Sequence, residues 1–102
     1  MLLYNVTVAV DAPIAEEWLA WMKGTHIPEV MATGCFVRNQ ITRLLDPIQP
    51  DSTDETFAIQ YYCESPEMLD TYLNEYAPAL QKDHATRYAE KFAAFRTILE
   101  VL

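Results

Sequence analysis

Every second residue from Tyr4 to Val10 is a large apolar residue, and the positions between them are small or polar, a pattern typical of a strand with two different faces. The alternation predicts a strand over residues 2–10. Its apolar face carries Tyr4, Val6, Val8 and Val10. Its other face carries Leu3, Asn5, Thr7 and Ala9. The second face is neither a clean solvent surface nor a clean core, so something other than a helix layer is expected to cover it.

A helical pattern follows the strand and is interrupted twice. Residues 11–13 suit a helix start, because aspartate caps backbone N–H groups and proline fits the first turn. Apolar residues then recur at helical spacing until a glycine and a proline interrupt them. The pattern predicts one helix that ends at Lys23 or Gly24. It predicts a second, short helix over residues 28–33, with Gly34 just beyond its end.

The middle of the chain has the pattern of two strands and a connecting loop. Residues 35–45 and 56–63 are predicted as strands. Residues 46–55 between them are rich in proline, aspartate and serine, which predicts a hairpin loop.

The last third of the chain repeats the helix-then-strand order. Ser65, followed by a proline and a glutamate, has the same helix-start pattern as before, and apolar residues continue at helical spacing. Pro78 is expected to kink or split this helix after Tyr76. Residues 94–101 are predicted as the final strand.

The predicted order βαββαβ favours an α+β, ferredoxin-like domain spanning residues 1–102. It has a four-stranded antiparallel sheet with both helical regions on one face. Strands one and three are expected in the centre, with the fourth beside the first. The uncovered face suits a homodimer of two sheets with a polar cavity between them. The candidate ligand-binding residues of that face are Asn5, Thr7, Gln60, Tyr62 and Arg96.

Charge and cysteine content narrow the class of protein. The net charge is −8, from 15 acidic and 7 basic residues, and the bases are scattered, so neither nucleic acid nor an anionic membrane is an expected partner. The first residues lack the basic and small-residue features of a signal peptide, and no apolar run suggests a membrane span. Cys35 and Cys63 fit reduced thiols, so a cytoplasmic location is expected, and a disulfide between them is the less favoured alternative.

Two histidines and few glycines limit the candidate chemistry. His26, near the predicted helix break, suits a general base or haem ligand; the alternative is a local capping hydrogen bond. His84 lies on an apolar helix stripe and is expected to be a hydrogen-bonded core or interface residue. No set of three or four ligands predicts a metal site. With only two glycines, no phosphate-binding loop is present, and no cofactor is expected.

Several of these residues carry a resemblance to known families. Trp18, Trp21, His26, Pro28 and Gly34 resemble the first half of dimeric α+β barrel proteins. Those families include antibiotic-biosynthesis-type monooxygenases, muconolactone isomerases and ether-degradation proteins. Over nearly its whole length the chain also resembles an uncharacterised bacterial domain-of-unknown-function family. The segments that carry this second resemblance are 3–8, 17–22, 26–30, 59–61, 77–81 and 95–101.

The sequence and these resemblances leave two functions open. The first is a small dimeric domain that binds a small ligand or a protein through the sheet face, without an assignable reaction. The alternative, implied by the first resemblance, is a cofactor-independent or haem-binding enzyme similar to the monooxygenases and isomerases of the dimeric α+β barrel type. Whether the protein is an enzyme is not decided by the sequence.

Overall fold

Four antiparallel strands form one sheet in the computed structural model, which describes residues 1–102. The strands are β1 (Leu2–Asp11), β2 (Arg38–Arg43), β3 (Asp54–Cys63) and β4 (Phe92–Glu100). Their order across the sheet is β2-β3-β1-β4. The prediction of a ferredoxin-like sheet, with strands one and three in the centre and the fourth beside the first, is therefore confirmed.

Two helical regions cover one face of this sheet. The first comprises α1 (Ala15–Trp21), a π-helical segment (Met22–His26) and α2 (Ile27–Ala32). The second comprises α3 (Pro66–Thr71), a π-helical segment (Tyr72–Tyr76) and α4 (Ala77–Arg87). Trp18 packs on Phe57 with ring centroids 4.9 Å apart, and Tyr72 packs on Tyr4 at 5.8 Å. None of the helices is both long and apolar enough to cross a membrane.

The prolines widen the helices instead of breaking them. A helix break between Gly24 and Pro28 was the expectation, and it is wrong, because helical structure runs without interruption from α1 through the π-helical segment into α2. Proline has no N–H and crowds the preceding turn, and a five-residue turn relieves both problems. The amide of Ile27 accordingly donates to the carbonyl of Met22, five residues earlier.

The second helical region repeats this solution. Its π-helical segment ends at Tyr76, the residue after which a kink or split was predicted, and Pro78 follows two positions later. The amide of Ala77 donates to the carbonyl of Tyr72, again five residues back. Both wide turns therefore lie at equivalent places in the two halves of the chain and are referred to below as the first wide turn (Met22–His26) and the second wide turn (Tyr72–Tyr76).

The second strand is shorter than predicted, since it begins at Arg38 and not at Cys35. Thr33 and Gly34 end α2, and Cys35 and Phe36 are buried before pairing begins. Arg38 lies opposite Tyr62, so Cys35 and Cys63 are not paired across the strands. Both thiols are buried and free.

The side of the sheet that no helix covers, called the open face below, has at its centre three rows of side chains that cross all four strands. The middle row is polar and contains Gln40, Gln60, Asn5 and Thr97. The row on one side contains Arg38, Tyr62, Leu3 and Leu99. The row on the other side contains Thr42, Ala58, Thr7 and Phe95. Arg38 is the only charged residue in these rows, so the open face is poor in charge.

The predicted faces of the last strand are wrong. Arg96, Ile98 and Glu100 were expected on the open face, but Arg96 pairs with Val6, whose side chain points toward the helices. Phe95 and Leu99 lie on the open face instead. Both faces of this strand carry apolar side chains, so alternation alone does not decide which face is which. The strand register decides it.

Gly34 and Gly24 provide a matched test of the helix end. Gly34 has a φ of +77°, a conformation that costs residues with a Cβ about 1 kcal/mol, so Gly34→Ala is expected to lower the free energy of unfolding by about that amount. Gly24 lies inside the helical run without a positive φ, and Gly24→Ala is expected to raise it by up to about 1 kcal/mol. An added Cβ meets nothing within 4 Å at either position. Urea unfolding measures the free energy of unfolding of both variants. Equal changes in the two would contradict the assignment of Gly34, and not Gly24, to a left-handed backbone position.

Candidate functional site

A cavity of about 40 Å³ lies between the helices and the sheet. Fourteen residues line it, ten of them hydrophobic, and the other four are His26, Gln81, His84 and Arg96. His26 ends the first wide turn, Gln81 and His84 are on α4, and Arg96 is on β4. The polar side chains thus come from three separate elements, each held in place by the common core.

Arg96 places the only charge on the wall of the cavity. Its side chain is exposed, whereas His84 and Tyr4 on the same wall are buried, so Arg96 lies at the mouth. The chain contains one salt bridge, between Arg43 and Glu55 at 3.5 Å, and Arg96 takes no part in it. A guanidinium without a carboxylate partner therefore borders an otherwise uncharged cavity.

His84 is held as a neutral imidazole by Trp18. The indole Nε1 of Trp18 donates to Nε2 of His84 at 2.9 Å. Because an indole nitrogen only donates, Nε2 must be unprotonated, and the proton of His84 resides on Nδ1. Burial, and then the neighbouring His26 and Arg96, lower the pKa of His84 to about 4, against an opposing effect of Asp83. The prediction that His84 is a hydrogen-bonded core residue agrees with this geometry, but His84 also lines the cavity.

His26 has a ring nitrogen without a hydrogen-bond partner. Its ring lies 5.2 Å from that of Trp21 and 5.8 Å from that of His84, measured between centroids. Its Nδ1 is shielded from solvent and has no hydrogen-bond partner, and the side chain caps no helix. Burial lowers its pKa, Asp83 opposes this and Arg96 adds to it. His26 is therefore a neutral base at neutral pH, and the alternative of a local capping bond does not hold.

Three buried tyrosines complete the polar lining as proton donors. Burial raises the pKa of Tyr4, although the charge of Arg96 and hydrogen bonding to Arg96 and Gln81 act in the opposite direction. Burial also raises the pKa of Tyr61 and Tyr72 far above the ordinary value. All three phenols stay protonated at neutral pH, so their hydroxyl groups can donate to a bound molecule.

Four of the five predicted ligand residues are together, and the fifth is not. Asn5, Thr7, Gln60 and Tyr62 share the open face, whereas Arg96 is on the opposite side of the sheet. Nδ2 of Asn5 donates to the hydroxyls of Thr7 at 3.2 Å and Thr97 at 3.3 Å. Its Oδ1 is shielded from solvent without a partner. The structure therefore separates two places, a polar row on the open face and a cavity on the helix side.

The cavity was not predicted from the sequence, because its members are far apart in the chain. His84 was expected only as a core or interface residue, and Tyr72 and Gln81 were not among the candidate ligand residues. One local signal points to the region, since π-helical turns are frequent at functional sites and each wide turn ends two residues before a proline. The first wide turn contributes Met22 and His26 to the cavity wall, and the second contributes Tyr72.

Among the solved structures that share this fold are three proteins whose descriptions differ from one another. One is an ethyl tert-butyl ether d (EthD) family protein from Bacillus halodurans, with TM-score 0.67, 14% identity and 100% of both chains covered. A dimeric ferredoxin-like protein from an uncultured marine organism has TM-score 0.68 and 9% identity over 100% of this chain and 95% of that one. SnoaB, a cofactor-independent oxygenase from Streptomyces nogalater, has TM-score 0.64 and 13% identity over 99% and 92%.

At these identities the likeness shows the fold alone, and no curated protein matches the sequence. The fold is that of the dimeric α+β barrel proteins, as the first resemblance implied. A family model with the description "domain of unknown function (DUF4286)" matches residues 1–102. The chain therefore belongs to the DUF4286 family, a family without an assigned function.

Proposed function

We propose that the protein binds a small molecule in the cavity between its helices and its sheet. The observation that carries the proposal is Nδ1 of His26, a shielded nitrogen without a hydrogen-bond partner on a residue of the cavity wall. Buried polar atoms are normally hydrogen-bonded, and an orphan on a cavity-lining residue is explained by a bound group that forms a hydrogen bond with it. The neighbouring donors of Tyr4 and Gln81 favour a ligand with polar groups.

The size of the cavity limits what enters it. A volume of about 40 Å³ holds roughly one or two water-sized groups, so it receives a very small molecule or the head group of a longer one. Sites for whole cofactors have volumes of roughly 300–1,000 Å³. Haem does not fit between these helices and the sheet, so the haem-binding version of the enzyme hypothesis has no support here.

Indole N–H resonances test ligand binding directly. The chain has two tryptophans, and Trp18 bonds to a histidine of the cavity wall, so its Nε1–H signal reports occupancy. Titration with phenol, acetamide and acetate is expected to shift that signal for at least one probe. Ala94→Leu fills the cavity and is expected to abolish the shift, whereas Ala85→Leu, on an exposed position of α4, is expected to preserve it. Failure of all three probes would contradict the proposal.

The proposal includes a homodimer formed through the open face. Phe95 and Leu99 on this face are 61% and 46% exposed, and its rows carry a single charge, Arg38. Depletion of charge around exposed aromatic and apolar side chains is typical of an interface centre. The shielded Oδ1 of Asn5 also lacks a donor within its own chain. The protein of the same fold from an uncultured marine organism is described as dimeric, which supports the formation of a dimer.

A second candidate is an enzyme without a cofactor, similar to the oxygenases of this fold. It is favoured by the neutral His26, a base with a free nitrogen beside the positive charge of Arg96, which would stabilise an anion formed by proton removal. SnoaB shares the fold and is described as a cofactor-independent oxygenase. The test of this second candidate is turnover: an enzyme would convert the bound molecule, and His26→Gln would abolish that conversion. Binding without turnover would contradict the second candidate and agree with the first proposal.

The proposal places the protein in the bacterial cytoplasm. Two free, buried thiols support a reducing compartment. A protein partner on the open face is the alternative to the homodimer, and a monomeric protein in sedimentation would favour it.

A further inference from the structure

We propose that the ligand is a monocarboxylate, with its carboxylate held by Arg96 at the mouth of the cavity. The inference rests on the proposed function, since it names the chemistry of the molecule that the same cavity takes. Its starting point is the position of Arg96, the one charged residue of the wall, exposed and outside the only salt bridge of the chain.

The place of Arg96 distinguishes it from the other cations of this protein. Six of the seven basic residues form no salt bridge, and Arg96 is the one of them that lines the cavity. A guanidinium that borders a cavity and has no carboxylate partner is available to an anion from outside. Its planar group of donors matches both oxygens of a carboxylate.

The other polar groups near Arg96 are mostly donors. The hydroxyl of Tyr4 stays protonated and can donate, and Arg96 and Gln81 line the same cavity. His84 uses Nε2 to accept from Trp18, which leaves its Nδ1–H as a donor. Nδ1 of His26 has no hydrogen-bond partner, and a bound carboxylate would select the tautomer in which this nitrogen carries the proton and donates. A wall rich in donors and poor in acceptors selects a molecule rich in acceptors, and a carboxylate has only acceptors.

Size and overall charge select a monocarboxylate among anions. The cavity holds roughly one or two water-sized groups, which is the size of a carboxylate with little more attached. The exposed position of Arg96 lets the rest of the acid extend toward solvent. A net charge of −8 repels dianions such as phosphate more strongly than it repels a single charge.

Acetate and acetamide test this inference, because they have nearly the same shape and differ in charge. Each is titrated at constant ionic strength against sodium chloride, and the Nε1–H signal of Trp18 is followed. Acetate is expected to bind roughly tenfold or more tightly than acetamide. Arg96→Gln is expected to remove that advantage, so that acetate and acetamide bind equally. Arg38→Gln removes an exposed cation of the open face, 4.0 Å above the Tyr62 ring, and is expected to change neither.

The outcomes separate the two proposals. Equal binding of acetate and acetamide in the wild-type protein would overturn the monocarboxylate and leave small-molecule binding intact. No binding of either probe or of phenol would overturn both. An equal loss in Arg38→Gln and Arg96→Gln would show a general charge effect and overturn the role of Arg96. If Arg96→Gln fails to fold, the comparison of acetate with acetamide on the wild-type protein still tests whether the cavity prefers a carboxylate.

Discussion

Replacing Phe95 by glutamate is expected to convert the proposed homodimer into a monomer. Phe95 is 61% exposed on the open face, in the row next to the polar row of Asn5. A carboxylate buried there would have no cation nearby, because the single arginine of the face, Arg38, lies on the opposite edge strand. Such an unpaired buried charge costs roughly 2–5 kcal/mol, which weakens association by a factor between about thirty and a few thousand.

Ile98 provides the matched control for this change. It is 55% exposed on the same strand, three residues further on, but it lies opposite Tyr4 on the helix side of the sheet. Ile98→Glu is therefore expected to leave the dimer intact. Sedimentation velocity over a range of protomer concentrations measures both variants. A dimer that survives Phe95→Glu, or one that both substitutions disrupt equally, would show that the open face is not the interface.

Lowering the pH from 7 to 4 is expected to destabilise the protein through His84. Its pKa is about 4 in the folded protein and close to the ordinary value of 6.5 in the unfolded chain. Between these two values the unfolded chain binds more protons, so the free energy of unfolding rises with pH across this window. The stability contributed by the neutral imidazole is present above pH 6.5 and is lost as pH falls toward 4. At ~1.4 kcal/mol per pH unit, the loss is about 3 kcal/mol.

The physical cause is the Trp18 bond. A protonated His84 would present N–H groups from both nitrogens, and Nε2 could no longer accept from the fully buried indole. His26, whose pKa burial also lowers, contributes in the same direction. Acidic residues are protonated in the same range, so wild type alone does not isolate the histidine.

His84→Gln isolates the contribution of the histidine. Glutamine retains an oxygen that can accept from Trp18, yet it does not titrate. Urea unfolding at pH 7 and pH 4.5, at one fixed protomer concentration, is expected to show a smaller loss in the variant than in the wild type. Equal losses in the two proteins would mean that His84 does not change its protonation on unfolding in this range.

Local pattern predicted most of the strands and their order. The alternation over β1 was unambiguous, because every second residue from Tyr4 to Val10 is apolar, and those residues face the helices as expected. The helix starts could also be predicted from neighbouring residues. Ser65 accepts a hydrogen bond from the amide of Met68 at 3.2 Å, as its helix-start pattern predicted. Chain connectivity then left few ways to arrange four strands and two helical regions.

The wide turns show where local rules were insufficient. A proline predicts a disturbed helix, but it does not determine whether the chain breaks or widens. In both halves the core holds the flanking helices in line, since Trp18 and Ile27 on either side of the first wide turn are buried together. The wide turn keeps that packing, and it carries His26 to the cavity wall.

The sequence by itself determined the strand order and the helix layer on one face, because these follow from short-range periodicity, caps and connections. Its family was indicated by resemblance along nearly the whole chain, which the family model confirms. Only the tertiary structure decided the candidate site. Trp18 and His84, 66 residues apart, form a hydrogen bond, and His26 and Arg96 meet across the helix–sheet boundary. Which face of β4 carries Arg96 depended on its register with β1. Contacts of this kind depend on the packing of separate elements, which spacing along the chain does not encode.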